Sequence, residues 1–262
     1  MGFLKGGGLF IVSTLLLISL LLGNIFLTLN LSLKYDILEP ELTSVVKDVV
    51  EEEFGLSSII DEQYPFMEFY CQNHSDFVFS ESGYTFEIPC DVIAKGSDAV
   101  VEKGVSDLVN DIYYDNYDCN FWNCIDKSEI PYFLVSEKAK DYWKSKFYIT
   151  LFVSFILIVL TFLLVEQKYN LLTLTGGLLI VSSLPLIKLE KILSLINYKY
   201  VSDFIAIFFS KSYSVFLVSF ILGIIVLGIG IGLKFYMSDS FKKKFSRKEV
   251  KDIVKEEVSK KK

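Results

Sequence analysis

The sequence predicts a polytopic α-helical membrane protein with four transmembrane helices. A small disulfide-stapled α+β extracytoplasmic domain is inserted between helices 1 and 2. Three observations predict this. Four apolar runs, Leu9–Leu29, Phe147–Val165, Leu171–Ile187 and Tyr213–Leu233, each approach the ~20 residues a helix needs to cross the hydrocarbon core of a bilayer, and none holds an ionisable side chain in its interior. The block between the first two runs contains all four cysteines. Charge is divided along the chain: residues 34–146 carry 24 Asp and Glu against 9 Lys, a net of −15, while the tail from Lys234 carries 11 Lys and Arg against 5 acids, a net of +6. Opposite signs on opposite faces of a membrane are what the positive-inside bias leaves behind.

Taken in order, residues 1–33 hold a short N-terminus and the first span. Its apolar stretch is longer than the 7–15 residues of a signal-peptide core, and no small-x-small cleavage site follows, so a retained signal anchor is expected. With Lys5 inside, residues 34–146 lie outside. The second and third runs, within 147–187, are joined by the short inner turn Glu166–Asn170. Residues 188–212 form an outer segment, 213–233 the fourth span and 234–262 a basic inner tail. Both termini are thus expected in the cytoplasm of a cell-membrane protein. The four lysines of the outer segment, Lys188, Lys191, Lys199 and Lys211, run against this count, but the tail is denser in charge and adjoins a helix end.

Within 34–146, Pro40 at a first helical position introduces Leu42, Val45, Val46, Val49, Val50 and Phe54, an amphipathic stripe that Gly55 stops. Alternation around Ser80–Gly83 predicts a β-hairpin. Val101, Val105, Leu108, Val109 and Ile112 predict a second amphipathic helix, and Pro131–Lys146 is expected to run helically into the second span. Tyr132, Trp143 and Tyr148 are candidate interface anchors. Residues 189–210 mix apolar side chains with Glu190, Lys191, Lys199 and Asp203, a pattern for interfacial amphipathic helices. In the tail, Phe241, Phe245, Val250, Ile253, Val254 and Val258 predict a surface-lying helix.

Chemistry is sparse. Four cysteines allow three pairings. Hairpin geometry brings Cys71 and Cys90 together, and Cys119 with Cys124 closes a small local ring. Catalytic dithiols sit as Cys-x-x-Cys beside a helix N-terminus, and four intervening residues is the wrong spacing. Asp111, Asp115 and Asp118 lack the spacing of a calcium loop and read as solvated acids. Tyr113, Tyr114, Tyr117, Phe121 and Trp122 form an aromatic cluster suited to a partner contact, or to packing over a disulfide. Asn73-His74-Ser75 is a glycosylation sequon at Asn73. His74 is the sole histidine and receives no catalytic role. In the fourth run Ser219, Gly223, Gly228 and Gly232 offer a small-residue face for helix packing. No catalytic, cofactor or metal motif is present.

Spans without ionisable residues argue against a pump or secondary transporter. A large outer loop, a short inner turn and a smaller outer loop resemble claudin-type four-span proteins in outline. The Trp, Gly-Leu-Trp, Cys, Cys pattern of that family is absent, because Trp122 lies between Cys119 and Cys124. The expectation is a non-enzymatic cell-surface membrane protein whose acidic domain binds an extracytoplasmic protein, an envelope component or a second copy of itself. The alternatives are a component of an oligomeric channel or transport complex and, third, a membrane thiol oxidoreductase. The bilayer is a partner; nucleic acid is not.

Overall fold

The computed structural model describes residues 3–81, 84–127, 132–189 and 205–260. It is mostly helical, and four of its helical stretches are long and apolar enough to cross a membrane: Gly6–Ser32, Glu137–Leu164, Tyr169–Ile187 and Ile205–Tyr236. In order, the elements are α1 (Phe3–Ser32), α2 (Tyr35–Phe54), α3 (Leu56–Tyr70), β1 (Asp76–Glu81), β2 (Tyr84–Pro89), α4 (Cys90–Ile93), α5 (Ser97–Tyr114), α6 (Phe121–Lys127), α7 (Glu137–Leu164), α8 (Tyr169–Ser183) and α9 (Ser212–Lys260). Short 3-10 turns, Tyr132–Val135 and Leu184–Lys188, precede α7 and follow α8. The chain forms two compact units. One is Met1–Asn24, Phe147–Ile187 and Tyr213–Lys262; the other, which bears the cysteines, is Ile25–Lys146 and Lys188–Ser212.

In the cysteine-bearing unit α2, α3 and the hairpin all pack on α5. The reason lies in α5 itself. Val101, Val105 and Val109 recur every four residues with Val100 and Tyr113 beside them, and all are buried. That stripe meets Leu38 and Leu42 of α2, Ile60 and Met67 of α3, and Phe77 and Ile88 of the hairpin in one core. The hairpin is a two-stranded antiparallel ribbon in which Phe77 faces Ile88 and Phe79 faces Phe86. Period-two alternation puts these aromatic and branched residues on one side.

Four elements differ from the sequence expectation. Helix α2 starts at Tyr35, so Pro40 lies inside it rather than at its first position. Only one N–H is lost there, within the second turn, and Leu38 and Leu42 are buried on either side of it. Gly55 does end α2: it takes φ 59°, ψ 43°, and its N–H caps the Glu51 carbonyl, the left-handed closure glycine favours. The chain then enters α3 directly, a helix the sequence reading did not anticipate. The strands reach Glu81 and Tyr84, so Ser80 and Glu81, expected in the turn, belong to β1, and positions 82–83 lie outside the described residues. Ahead of α7 the helix does not run unbroken from Pro131. Ser136 separates the 3-10 turn from α7, accepting the Ala139 N–H at 3.2 Å and donating to the Phe133 carbonyl at 2.6 Å. It is a serine N-cap. Of the expected interfacial segment, 190–204 lie outside the described residues; Ile207 is buried in the core with Phe208 packed beside it.

The other unit gathers the spans. Ser19 and Ser154 hydroxyls meet at 2.9 Å, joining α1 to α7. Asn24 of α1 donates to Ser182 of α8 at 3.4 Å and accepts from Ser219 of α9 at 2.8 Å. Helices α8 and α9 touch backbone to backbone. A Cβ at Gly176 would stand 2.4 Å from the Leu227 nitrogen, and one at Gly230 would stand 2.6 Å from the Thr173 nitrogen. Only glycine permits that approach. Gly223 shares the seam, whereas Gly228 and Gly232 meet no described atom within 4 Å. The seam therefore uses Gly223 and Gly230, two turns apart, with Gly176 opposite. The tail is not a separate helix. α9 continues to Lys260 because neither glycine nor proline follows Gly232.

Candidate contact surface of the cysteine-bearing unit

Two disulfides fix this unit. Cys71 is joined to Cys90, and Cys119 to Cys124. The first ties the end of α3 to the start of α4 across the foot of the hairpin, where the Cys90 N–H also donates to the Ser75 carbonyl at 2.8 Å. The second closes a ring at α6.

Beneath α6 lies an aromatic cluster. The Phe121 ring stacks on Tyr142 with centroids 3.8 Å apart, and meets Phe133 and Trp143 edge-on at 5.3 and 5.2 Å. Tyr117 stands edge-on to Phe133 and donates its hydroxyl to the Ile112 carbonyl at 2.9 Å. Its burial, with Asp115 next to it, pushes its phenol above the ordinary tyrosine range. Tyr113 is buried, packs against Tyr35 and Tyr114, and donates to the Leu33 carbonyl at 3.0 Å. Burial raises its phenol as well.

The five candidate contact residues therefore divide. Tyr113 and Phe121 are core, Tyr117 is half-buried, and Tyr114 and Trp122 face outward at 52% and 65% exposure. Two further aromatics that sequence reasoning did not single out are also exposed: Phe66 at 61% and Phe69 at 66%, both on α3. With Ile59 they recur at i, i+7 and i+10, on one side of the helix. The opposite side buries Ile60 and Met67. The signal was available in Ile59–Tyr70, but Pro65 disguises it as a break.

Polar candidates are placed as follows. Asn73 is exposed in the turn between α3 and β1. His74 is exposed, stacks on Tyr70 at 3.9 Å and has its Nδ1 3.0 Å from the Tyr70 carbonyl. Asp111, Asp115 and Asp118 are exposed. At the α2–α3 junction Glu51 receives the Ser57 N–H at 2.9 Å, and hydrogen bonding from Ser57 holds its carboxyl below the ordinary range. A carboxylate there also complements the positive N-terminus of α3.

No protein-family model, curated protein or solved structure matches this chain.

Proposed function

We propose that the chain is a non-enzymatic, multi-pass protein of the cell membrane with both termini cytoplasmic. Its acidic, disulfide-bonded unit faces outward and binds a partner protein, an envelope component or a second copy of the chain. The observation that carries this reading is the outward-facing aromatic side of α3, Phe66 and Phe69, on a unit otherwise held together by its own core and two disulfides. Phe, with Tyr and Trp, is enriched at protein interfaces relative to the rest of the surface. Disulfides belong to oxidising compartments, and the tail lysines favour the inner face.

The experiment has two parts. Protease added to intact cells should cut the cysteine-bearing unit and spare the basic tail; the reverse digestion overturns the orientation. Crosslinking in native membranes should then capture a partner through α3, and the double variant Phe66→Ala, Phe69→Ala should lose at least tenfold of that capture. An unchanged yield overturns the assigned surface.

A further inference from the structure

The chain holds two Asn-x-Ser/Thr tripeptides, Asn30-Leu31-Ser32 and Asn73-His74-Ser75, and the fold treats them in opposite ways. Asn30 is half-buried in α1 and donates its amide to the Lys140 carbonyl at 3.2 Å. Ser32 is fully buried, and its Oγ accepts the Lys211 N–H at 3.1 Å. That tripeptide is closed to an enzyme. Asn73 lies in the turn between α3 and β1, where every residue from Gln72 to Ser75 is exposed. We propose that Asn73 carries an N-linked oligosaccharide. The proposal rests on the outward orientation given above, since such acceptors belong to surface loops on the exported side.

The turn does not need this asparagine for its own shape. Asparagine in a turn ordinarily bonds the backbone two residues on, yet among the described residues the Asn73 side chain has no hydrogen-bond partner. The amides of Asn24, Asn30, Asn110 and Asn170 each donate to another residue. Main-chain bonds hold the turn instead. The Gln72 N–H donates to the Phe69 carbonyl at 3.2 Å, the Asn73 N–H to the Tyr70 carbonyl at 3.3 Å and the Cys90 N–H to the Ser75 carbonyl at 2.8 Å. The Cys71–Cys90 bridge clamps its first residue. The Ser75 hydroxyl, the other group the tripeptide requires, is exposed and donates to the neighbouring Asp76 carboxylate at 2.5 Å. Amide and hydroxyl are thus both open to a transferase, and a bulky solvated group on Asn73 displaces no core side chain. In the transfer, the C1–O bond joining the first sugar to a polyprenyl phosphate or diphosphate breaks and a C1–Nδ2 bond to Asn73 forms. The lipid phosphate leaves with the electron pair, and one Nδ2 proton is released.

The test uses the full chain purified from the membranes of its own host. Trypsin releases Asn73 in one peptide, Asp48–Lys95. Mass spectrometry is expected to find that peptide enlarged by sugar residues on Asn73, with Asn30 unmodified. Asn73→Gln and Ser75→Ala should each reduce the glycosylated form at least tenfold, and Ser75→Thr, which keeps the hydroxyl, should retain it; circular dichroism verifies that each variant folds. A sugar-free Asn73 overturns the proposal, as does undiminished occupancy in Ser75→Ala. Two control acceptors separate this failure from a failure of the orientation. Asp118→Thr turns the exposed Asn116 into an acceptor in the same unit, and an Asn-Gly-Thr sequence appended after Lys262 offers one on the tail. Sugar on Asn116 but not on Asn73 overturns the proposal and leaves the orientation standing. Sugar on the appended acceptor alone overturns the orientation and the proposal with it. No sugar at any of the three overturns the proposal alone.

Discussion

Tyr113 is held by a hydroxyl-to-carbonyl bond to Leu33, 80 positions away in the chain, and by two neighbouring tyrosine rings. Its raised phenol has a definite consequence for alkaline stability. Because the folded-state value lies above the unfolded one, near 10, the stabilisation is fully present below about pH 10 and is lost as pH rises through the folded value. Tyr113→Phe should cost about 1 kcal/mol at neutral pH through the lost hydrogen bond. It should also flatten the decline in melting temperature above about pH 10, measured by circular dichroism in detergent. Glycines give a second contrast at this scale. Gly176→Ala forces a methyl group against the Leu227 backbone and should destabilise the bundle by about 1–3 kcal/mol. Gly228→Ala, where a Cβ would meet no described atom within 4 Å, should be neutral or stabilising by a few tenths to about 1 kcal/mol. Thermal unfolding of the two purified variants separates these outcomes. If Gly176→Ala is the milder change, the α8–α9 seam is misplaced.

At the level of elements, the bridges can be ranked by the loops they close. Cys71 and Cys90 are 19 positions apart, Cys119 and Cys124 only 5. Loop entropy alone assigns about 3 kcal/mol to the first and about 2 kcal/mol to the second. Replacing both cysteines of a pair by serine should lower the melting temperature more for the 71–90 pair. The elements also show what the chain discloses to a reader without coordinates. The apolar runs and the α5 stripe are visible because helical periodicity is local, and Gly55 is visible because few residues tolerate its backbone angles. Helix α3 is hidden because Pro65 signals a break. The fold overrides that signal by burying Ile60 and Met67, and local pattern cannot weigh a gain made against α5. The aromatic run 113–122 was legible as a cluster, but not which members face inward. That depends on Leu33, Phe133 and Tyr142, residues distant in sequence. The glycine seam was half legible for the same reason: Gly223 was read from its own helix, and Gly176 needs its partner.

On the scale of the whole molecule, the interiors of the four apolar runs dispense with charge, and small polar ties join the helices. Asn24 links three helices by one acceptor and one donor bond. Replacement by leucine removes both and leaves the Ser219 hydroxyl without its acceptor. Such interhelical bonds contribute roughly 0.6 kcal/mol on average and up to about 2 kcal/mol each, so Asn24→Leu should cost about 1–2 kcal/mol in a reversible unfolding assay in bicelles. A gain in stability would mean that the amide is retained for something other than holding the helices together. The cysteine-bearing unit relies on a core of ordinary aliphatic and aromatic residues plus two covalent links. The two units are thus stabilised by different means, and reductant should lower the melting temperature of one transition and leave the other in place.

The uninterrupted course of α9 changes what the basic end can do. At 1.5 Å per residue, positions 234–260 add about 40 Å of helix beyond the fourth apolar run, which ends at Leu233. Attraction to anionic headgroups fades within a Debye length, about 8 Å in physiological salt, so a rod continuing along its own axis keeps only the first few cations within reach of the lipid. The cations further along the helix lie beyond that reach, so charge alone does not hold most of the basic end at the headgroups.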